Sequence, residues 1–510
     1  MGQVRVFIDF GSTFTKVVVF DLSKEELLAR VQVPSTVDRD ITIGLEEAWR
    51  LARAEAGLGE EELRQAVACS SAAGGLRVAC VGLVPEYTTE AARLAALGAG
   101  AKIVGVYSYE LTEGEAAELE ELAPDIVLLT GGTDGGNRKV ILHNARLLAR
   151  TGERIKNIVV AGNKAAHDEV RQILGGAGKN VILTRNVMPE FGRLEVEPCN
   201  RTIRELFLSR ITEAKGIARV RSLIRGVVMP TPAAVLEAAR LLAEGTGDCS
   251  GLGELLVVDV GGATTDVYSV AKGLPTNPAV VTVGLAEPYV KRTVEGDLGM
   301  VHNLETLKEI VGAGGEPEGL AEALGDLAAR SGIPRTEREI DIQIMLARAA
   351  VKTAVDRHAG RLEARVSPQG EFLLQRGKDL TEVGWVVGTG GPVAFSPAPE
   401  RVLEGALFRP EEPVLLKPKA PRFLVDRHYL MFALGLFARE EPTKSMKLAS
   451  KYLVRLAYRR ACKTVGGRDV SEELCPRPTR KYGITGITAS SLPRNKPGHP
   501  AVRRESAEED

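Results

Sequence analysis

The chain has 510 residues, which at ~150 residues per domain corresponds to roughly three folding units. It carries 66 Lys+Arg against 67 Asp+Glu, a formal net charge of −1, so the balance offers nothing to nucleic acid or an anionic membrane. Hydrophobic residues at 44% suffice for a sizeable core, and aromatic residues at 5% speak against a base- or sugar-stacking surface.

The 54 glycines cluster after apolar runs, which is where phosphate-binding turns form. Cys69, Cys80, Cys199, Cys249, Cys462 and Cys475 leave no CxxC or zinc spacing and fit buried thiols in a reducing compartment. The first residues run straight into a core strand with no signal-peptide pattern. The most apolar late stretch, Tyr429 to Ala438, is far short of the ~20 residues that span a bilayer. These features predict a soluble, cytoplasmic, multi-domain protein.

In chain order, Val4–Phe10, Lys16–Asp21 and Leu27–Pro34 read as three antiparallel strands, followed by a helix at Leu45–Ala56 and a strand at Ala66–Ser71. From about 75 to 190, apolar runs at 76–84, 103–106, 126–129, 158–161 and 181–183 alternate with helical segments. That alternation predicts a parallel, doubly wound α/β module inserted into another fold. Helices at 201–221 and 233–243 precede a second strand–glycine–strand unit, Leu255–Val260 and Asp266–Val270. A helical block spans 299–358, and a buried strand at Trp385–Val387 runs into glycines. The helix expected at Lys444–Lys463 carries a basic stripe, Lys447, Lys451, Arg455, Arg459 and Arg460, read as a solvated face before a docking face. The expected division is 1–74, first lobe; 75–190, insertion; 191–440, remaining core; 441–475, basic helix; 476–510, disordered tail.

Three motifs carry chemistry. In Phe7-Ile8-Asp9-Phe10-Gly11-Ser12-Thr13-Phe14-Thr15-Lys16, a strand delivers an aspartate into a small-residue hairpin. Gly11 permits close backbone approach to a phosphate, Ser12 and Thr13 donate to it, and Asp9 is suited to a hydrated Mg²⁺. Alone, such a turn is common. The same design returns about 250 residues later as Val258-Asp259-Val260-Gly261-Gly262-Ala263-Thr264-Thr265-Asp266, and two facing hairpins of this kind would clamp a polyphosphate. The third is Trp385-Val386-Val387-Gly388-Thr389-Gly390-Gly391-Pro392, whose glycines can lie flat against a purine and ribose.

In this order the motifs resemble the phosphate-1, phosphate-2 and adenosine elements of the actin, hexokinase and heat-shock-chaperone ATPase superfamily. The resemblance implies an α/β fold of two actin-like lobes with ribonuclease-H-like sheets, binding ATP and Mg²⁺. It implies Asp9 and Asp259 as metal-holding residues, and Gly11, Ser12, Thr13, Lys16, Gly261, Gly262, Thr264, Thr265, Asp266, Gly388, Thr389, Gly390 and Gly391 around the nucleotide. The segment Val228–Ala234 looks like the connecting helix that carries a catalytic glutamate in the chaperones, but Met229 occupies the matching position. Glu295 or Asp297 is then a candidate carboxylate, the alternative being acids at a helix N-terminus.

Together with Leu128–Gly136 and Arg292-Thr293-Val294-Glu295-Gly296-Asp297-Leu298-Gly299, these stretches resemble the glutamate mutase accessory (GlmL/MutL-type) family over about residues 1–440. That resemblance implies a chaperone-like, slow ATPase serving an adenosylcobalamin-dependent mutase or aminomutase and releasing damaged cobalamin. The loop Thr130–Asn137 is a candidate anion site for a cobalamin tail or a contact to the mutase, or simply a glycine-rich turn at the sheet edge. Two other readings stand beside this one. One is an activator of 2-hydroxyacyl-CoA dehydratases, for which no cysteine is placed like a cluster ligand. The other is a hydantoinase/oxoprolinase-type amidohydrolase, and beyond these two Met229 leaves a non-enzymatic reading open, a nucleotide-sensing scaffold.

Overall fold

A computed structural model describes residues 4–36, 39–71, 76–211, 217–312, 319–330, 332–368 and 370–457. The expected tail, and the end of the helix expected to reach Lys463, lie outside the described residues.

The first lobe begins with β1 (Val4–Phe10), β2 (Phe14–Asp21), β3 (Glu26–Pro34) and β4 (Val67–Ser70). β1 and β2 are rich in β-branched and aromatic residues and buried along most of their length, so they form the middle of a sheet covered on both faces. Five strands follow: β5 (Arg77–Val81), β6 (Lys102–Tyr107), β7 (Ile126–Leu129), β8 (Asn157–Val160) and β9 (Asn180–Leu183). They form a separate parallel sheet in the order β6-β5-β7-β8-β9, with helices between successive strands. The chain then returns through β10 (Gly226–Pro230) to the first sheet, whose order is β10-β4-β1-β2-β3.

The second lobe repeats that plan. β11 (Leu255–Val260) and β12 (Thr265–Val270) form a hairpin, β13 (Val280–Thr282) lies apart, and β14 (Val290–Glu295) pairs antiparallel with β12. β15 (Arg361–Ser367) and β16 (Gly370–Arg376) make a small sheet with β13. β17 (Trp385–Thr389) and β18 (Arg422–Val425) then extend the main sheet in parallel, and β19 (Val454–Arg455) closes its edge. Its order is β14-β12-β11-β17-β18-β19. Apart from β19, the two main sheets share one topology: two antiparallel strands on one side of the first strand, two parallel strands on the other. The duplication read from two hairpins therefore extends to whole sheets.

One apolar core runs beneath both lobes, joining Phe7, Val18 and Phe20 to Leu255, Val257 and Tyr268. Through it pass the helices Thr231–Glu244 and Met431–Ala438, which cross so closely that a Cβ on Gly435 would overlap the Ala234 carbonyl. The floor of the interlobe cleft is thus packed solid, and both hairpins are mounted on it.

Two sequence expectations need correction. Val228–Pro230 is strand, not helix: β10 pairs parallel with β4, and Met229 is buried in the shared core at 2% exposure. The helix begins only at Thr231, because Pro232 at its first turn leaves no lost hydrogen bond there. The late helix spans Pro442–Tyr452 rather than 444–463, and it buries Met446, Leu448 and Ala449 against the core. Arg455 lies in β19, so the expected single basic stripe is broken.

Candidate functional site

The two hairpins meet across a cleft of about 270 Å³. Its walls include Asp9, Gly11, Ser12, Thr13 and Lys16 from the first lobe, and Asp259, Gly261, Gly262, Thr264 and Asp266 from the second. Their tips touch: a Cβ on Gly262 would stand 2.9 Å from Thr13 Oγ1. Both turns close the same way, with Gly11 N–H donating to the Phe14 carbonyl at 3.1 Å and Gly261 N–H to the Thr264 carbonyl at 2.9 Å. In the first turn a side chain at Gly11 would press to 2.6 Å from that same Phe14 oxygen.

The matched hairpins differ in charge. In β1–β2, Asp9 stands opposite Lys16; in β11–β12, Asp259 stands opposite Asp266. Asp9, 1% exposed, receives Lys16 Nζ at 2.7 Å on one oxygen and Thr231 Oγ1 at 2.6 Å on the other. Lys16 Nζ also lies 4.2 Å from the centre of the Tyr429 ring. Asp266 is held by Arg292 and by Thr264 Oγ1 at 2.8 Å.

Asp259 has no such partner for Oδ1, which is buried. Burial, reinforced by the charges of Asp266, Asp9 and Asp426, pushes its carboxyl up to about 7, against the opposing pull of Lys16. An orphaned carboxylate oxygen raised in this way is the donor a divalent cation satisfies. Among the described residues no group of three or more His, Cys, Asp or Glu side chains is arranged to hold a metal. A Mg²⁺ at Asp259 and Asp9 would therefore keep most of its ligands as water and phosphate oxygens, which is how that ion is commonly bound.

The remaining expected residues separate into wall and support. Gly391 lines the cleft together with Pro392 and Phe395. Gly388, Thr389 and Gly390 stand behind it: Thr389 Oγ1 donates to Asp426 Oδ2 at 3.1 Å, and Gly390, at φ +88°, lies against β11. Thr265 is buried, its hydroxyl donating to the Leu298 carbonyl at 2.7 Å. Glu295 and Asp297 are not part of the cleft wall; both accept from Arg357, at 2.7 Å and 2.8 Å. That guanidinium holds the Asp297 carboxyl below its ordinary value, whereas burial pushes Glu295 up. In the loop Thr130–Asn137, the amides at 134–136 have protein partners. Asp134 N–H donates to the Pro189 carbonyl, Gly135 N–H to Asn163 Oδ1 and Gly136 N–H to the Thr133 carbonyl. Asn137 Oδ1 accepts from Val140 N–H in the first turn of the following helix.

Sequence reasoning missed Thr231, Tyr429, Gln343, Ile333 and Phe395, all on the cleft wall, and Asp426 behind it. Asp426 had a signal: like Asp9 and Asp259 it stands at the end of a buried strand, and its Oδ2 accepts from Met431 N–H at 2.8 Å. Thr231 lies in the stretch Val228–Ala234 already singled out, where attention fell on position 229; the others come from distant elements with no local motif.

Two sheets of one topology, each offering an aspartate and a glycine hairpin to a common cleft, define a two-lobed α/β protein with a duplicated sheet. A family model described as MutL protein matches residues 5–453. The chain is 44% identical over 459 residues to Protein MutL of Clostridium tetanomorphum, covering 88% of this chain and 99% of that one. The chain belongs to the MutL protein family. Among solved structures it is similar to nucleotide-free acetone carboxylase, at 14% identity and TM-score 0.39, covering 85% of this chain and 70% of that one. It is also similar to a glycerol dehydratase reactivase, at 13% identity and TM-score 0.32, covering 85% of this chain and 100% of that one. Likenesses this distant carry no weight for function. No helix among the described residues is long and apolar enough to cross a membrane.

Proposed function

We propose that the cleft binds ATP with Mg²⁺, and that its turnover drives a chaperone-like accessory activity on an adenosylcobalamin-dependent mutase, glutamate mutase or an aminomutase, releasing damaged cobalamin. The observation that carries the nucleotide reading is the facing of two duplicated hairpins, Gly11–Thr13 and Gly261–Thr264, over Asp9 and Asp259 in one cleft. Membership of the MutL protein family, with the resemblance to mutase accessory proteins, supports the choice of partner.

Phosphoryl transfer to water requires positioning and charge stabilisation more than covalent chemistry. Lys16, the turn amides and the hydroxyls of Ser12 and Thr13 supply the donors. Mg²⁺, when bound, would neutralise charge on the phosphates. The carboxylates on the cleft wall are Asp9, Asp259 and Asp266. Asp9 is engaged by Lys16 and Thr231, and Asp266 by Arg292 and Thr264, which leaves the unpartnered oxygen of Asp259 as the one to hold a hydrated Mg²⁺, whose bound water it would orient. With Met229 in the core, no glutamate among the described residues lines the cleft, which fits slow turnover. The thiols of Cys69 and Cys80 are buried and pushed up, Cys80 to about 12, so neither suits an iron–sulfur ligand.

The test is capture from native lysate with ATP and with ADP. A cobalamin mutase retained in one nucleotide state only is the expected result. Equal recovery in both states, or none, contradicts the accessory role.

A further inference from the structure

The stretch Arg292–Gly299 leaves its two acids outside the cleft, but its first residue reaches the cleft through a partner. Arg292, on β14, is 3% exposed. Its Nε and Nη2 donate to Asp266 Oδ1 at 2.8 and 2.6 Å. Its Nη1 donates to the carbonyls of Leu97 and Ala101 at 3.2 and 3.0 Å. Asp266 lines the cleft, whereas Leu97 and Ala101 bracket the end of the helix Glu90–Gly98 in the inserted α/β sheet. One buried guanidinium therefore spans from the cleft wall to the insertion.

The same turn, residues 97–101, touches the first lobe. Gly100, at φ +94°, lies so close to Pro230 that a Cβ there would stand 3.0 Å from the proline's own. Pro230 precedes Thr231, whose hydroxyl donates to Asp9. Arg204 Nη2 donates to the Gly98 carbonyl at 3.0 Å, and Arg204 pairs with Glu237 of the helix Thr231–Glu244 at 3.6 Å. The turn is thus in contact with the neighbours of Asp9 on one side and of Asp266 on the other.

We propose that Arg292 is a positioning residue that couples Asp266 in the cleft to the turn 97–101, passing nucleotide occupancy to the inserted module. This rests on the nucleotide reading above. A buried guanidinium left without its anionic partner is strongly unfavourable, so it follows Asp266 when a polyphosphate alters the cleft. Of the carbonyls at its other end, that of Leu97 belongs to a helix C-terminus, whose dipole favours a cation. Arginine presents donors on separate edges of a rigid plane and so reaches partners on opposite sides at once, whereas the donors of a lysine spread from a single nitrogen.

Amide hydrogen exchange on the full chain, without nucleotide and with Mg-ATP or Mg-ADP, tests this. In the wild type, exchange is expected to change both in the hairpins at 11–13 and 261–264 and in the turn 97–102. In Arg292→Lys the hairpin response is expected to persist, with affinity reduced by no more than about tenfold, while the response of the turn disappears. A wild-type turn that ignores nucleotide while the hairpins respond overturns the coupling, and this result needs no variant to fold. An unaltered turn response in Arg292→Lys overturns it equally. If neither hairpins nor turn respond, the nucleotide reading fails first and the coupling with it.

Discussion

Replacing Asp259 by asparagine is expected to raise the thermal stability of the nucleotide-free protein above pH 7. The folded protein lifts this carboxyl from its ordinary value of 3.8 to about 7, so the folded state binds the proton more tightly than the unfolded chain. Stability from this group is therefore complete below about pH 4, falls as pH rises between about 4 and 7, and is absent above that range. Asparagine mimics the protonated form and removes the loss. A shift of this size corresponds to on the order of 2–4 kcal/mol, or several degrees in melting temperature. The expected pattern in scanning calorimetry is a variant more stable than wild type at pH 8 and equal to it near pH 4. Equal melting temperatures at both would show that the carboxylate is not strained. Natural retention of a group that destabilises the empty cleft is what a ligand-holding residue predicts.

The second large effect is expected at Gly390. Its φ of +88° disfavours any other residue, and a Cβ there would overlap the Val260 carbonyl oxygen and stand 2.7 Å from Asp259 Oδ1. Gly390→Val should cost about 3–5 kcal/mol by combining backbone strain with overpacking. It should also displace the strand end that carries Asp259, so stability and nucleotide affinity fall together. Urea unfolding measures the first and titration with ATP the second. A variant within about 1 kcal/mol of wild type would contradict this placement of the third glycine motif behind Asp259.

Much of this arrangement was legible because the chemistry is local. Asp9 and Asp259 each end an apolar strand and enter a glycine turn, a pattern confined to about ten residues that period-two strands and turn residues specify directly. The inserted sheet was legible from strand–helix alternation for the same reason. Three features were not. Met229 was aligned by resemblance to a helix, yet pairing with β4 keeps it in a strand and turns it into the core, leaving Thr231 to reach Asp9. Glu295 and Asp297 offered suitable chemistry, but Arg357, on a helix some sixty residues further along, draws both away from the cleft. Tyr429 and Gln343 belong to segments whose only link with the hairpins is tertiary, and no periodicity records that. The glycines at 388–390 illustrate the opposite case: they were found by motif, and packing decides that they support the wall rather than form it.

The measurement that bears most directly on the account is titration of Mg-ATP into wild type, Asp9→Ala and Asp259→Ala. One nucleotide per chain is expected for wild type, with affinity lowered about a hundredfold or more in each variant, since Asp259 would hold the Mg²⁺ that neutralises the phosphates and Asp9 holds Lys16 in place. Wild-type affinity in both variants would mean that the cleft between the hairpins is not where nucleotide binds.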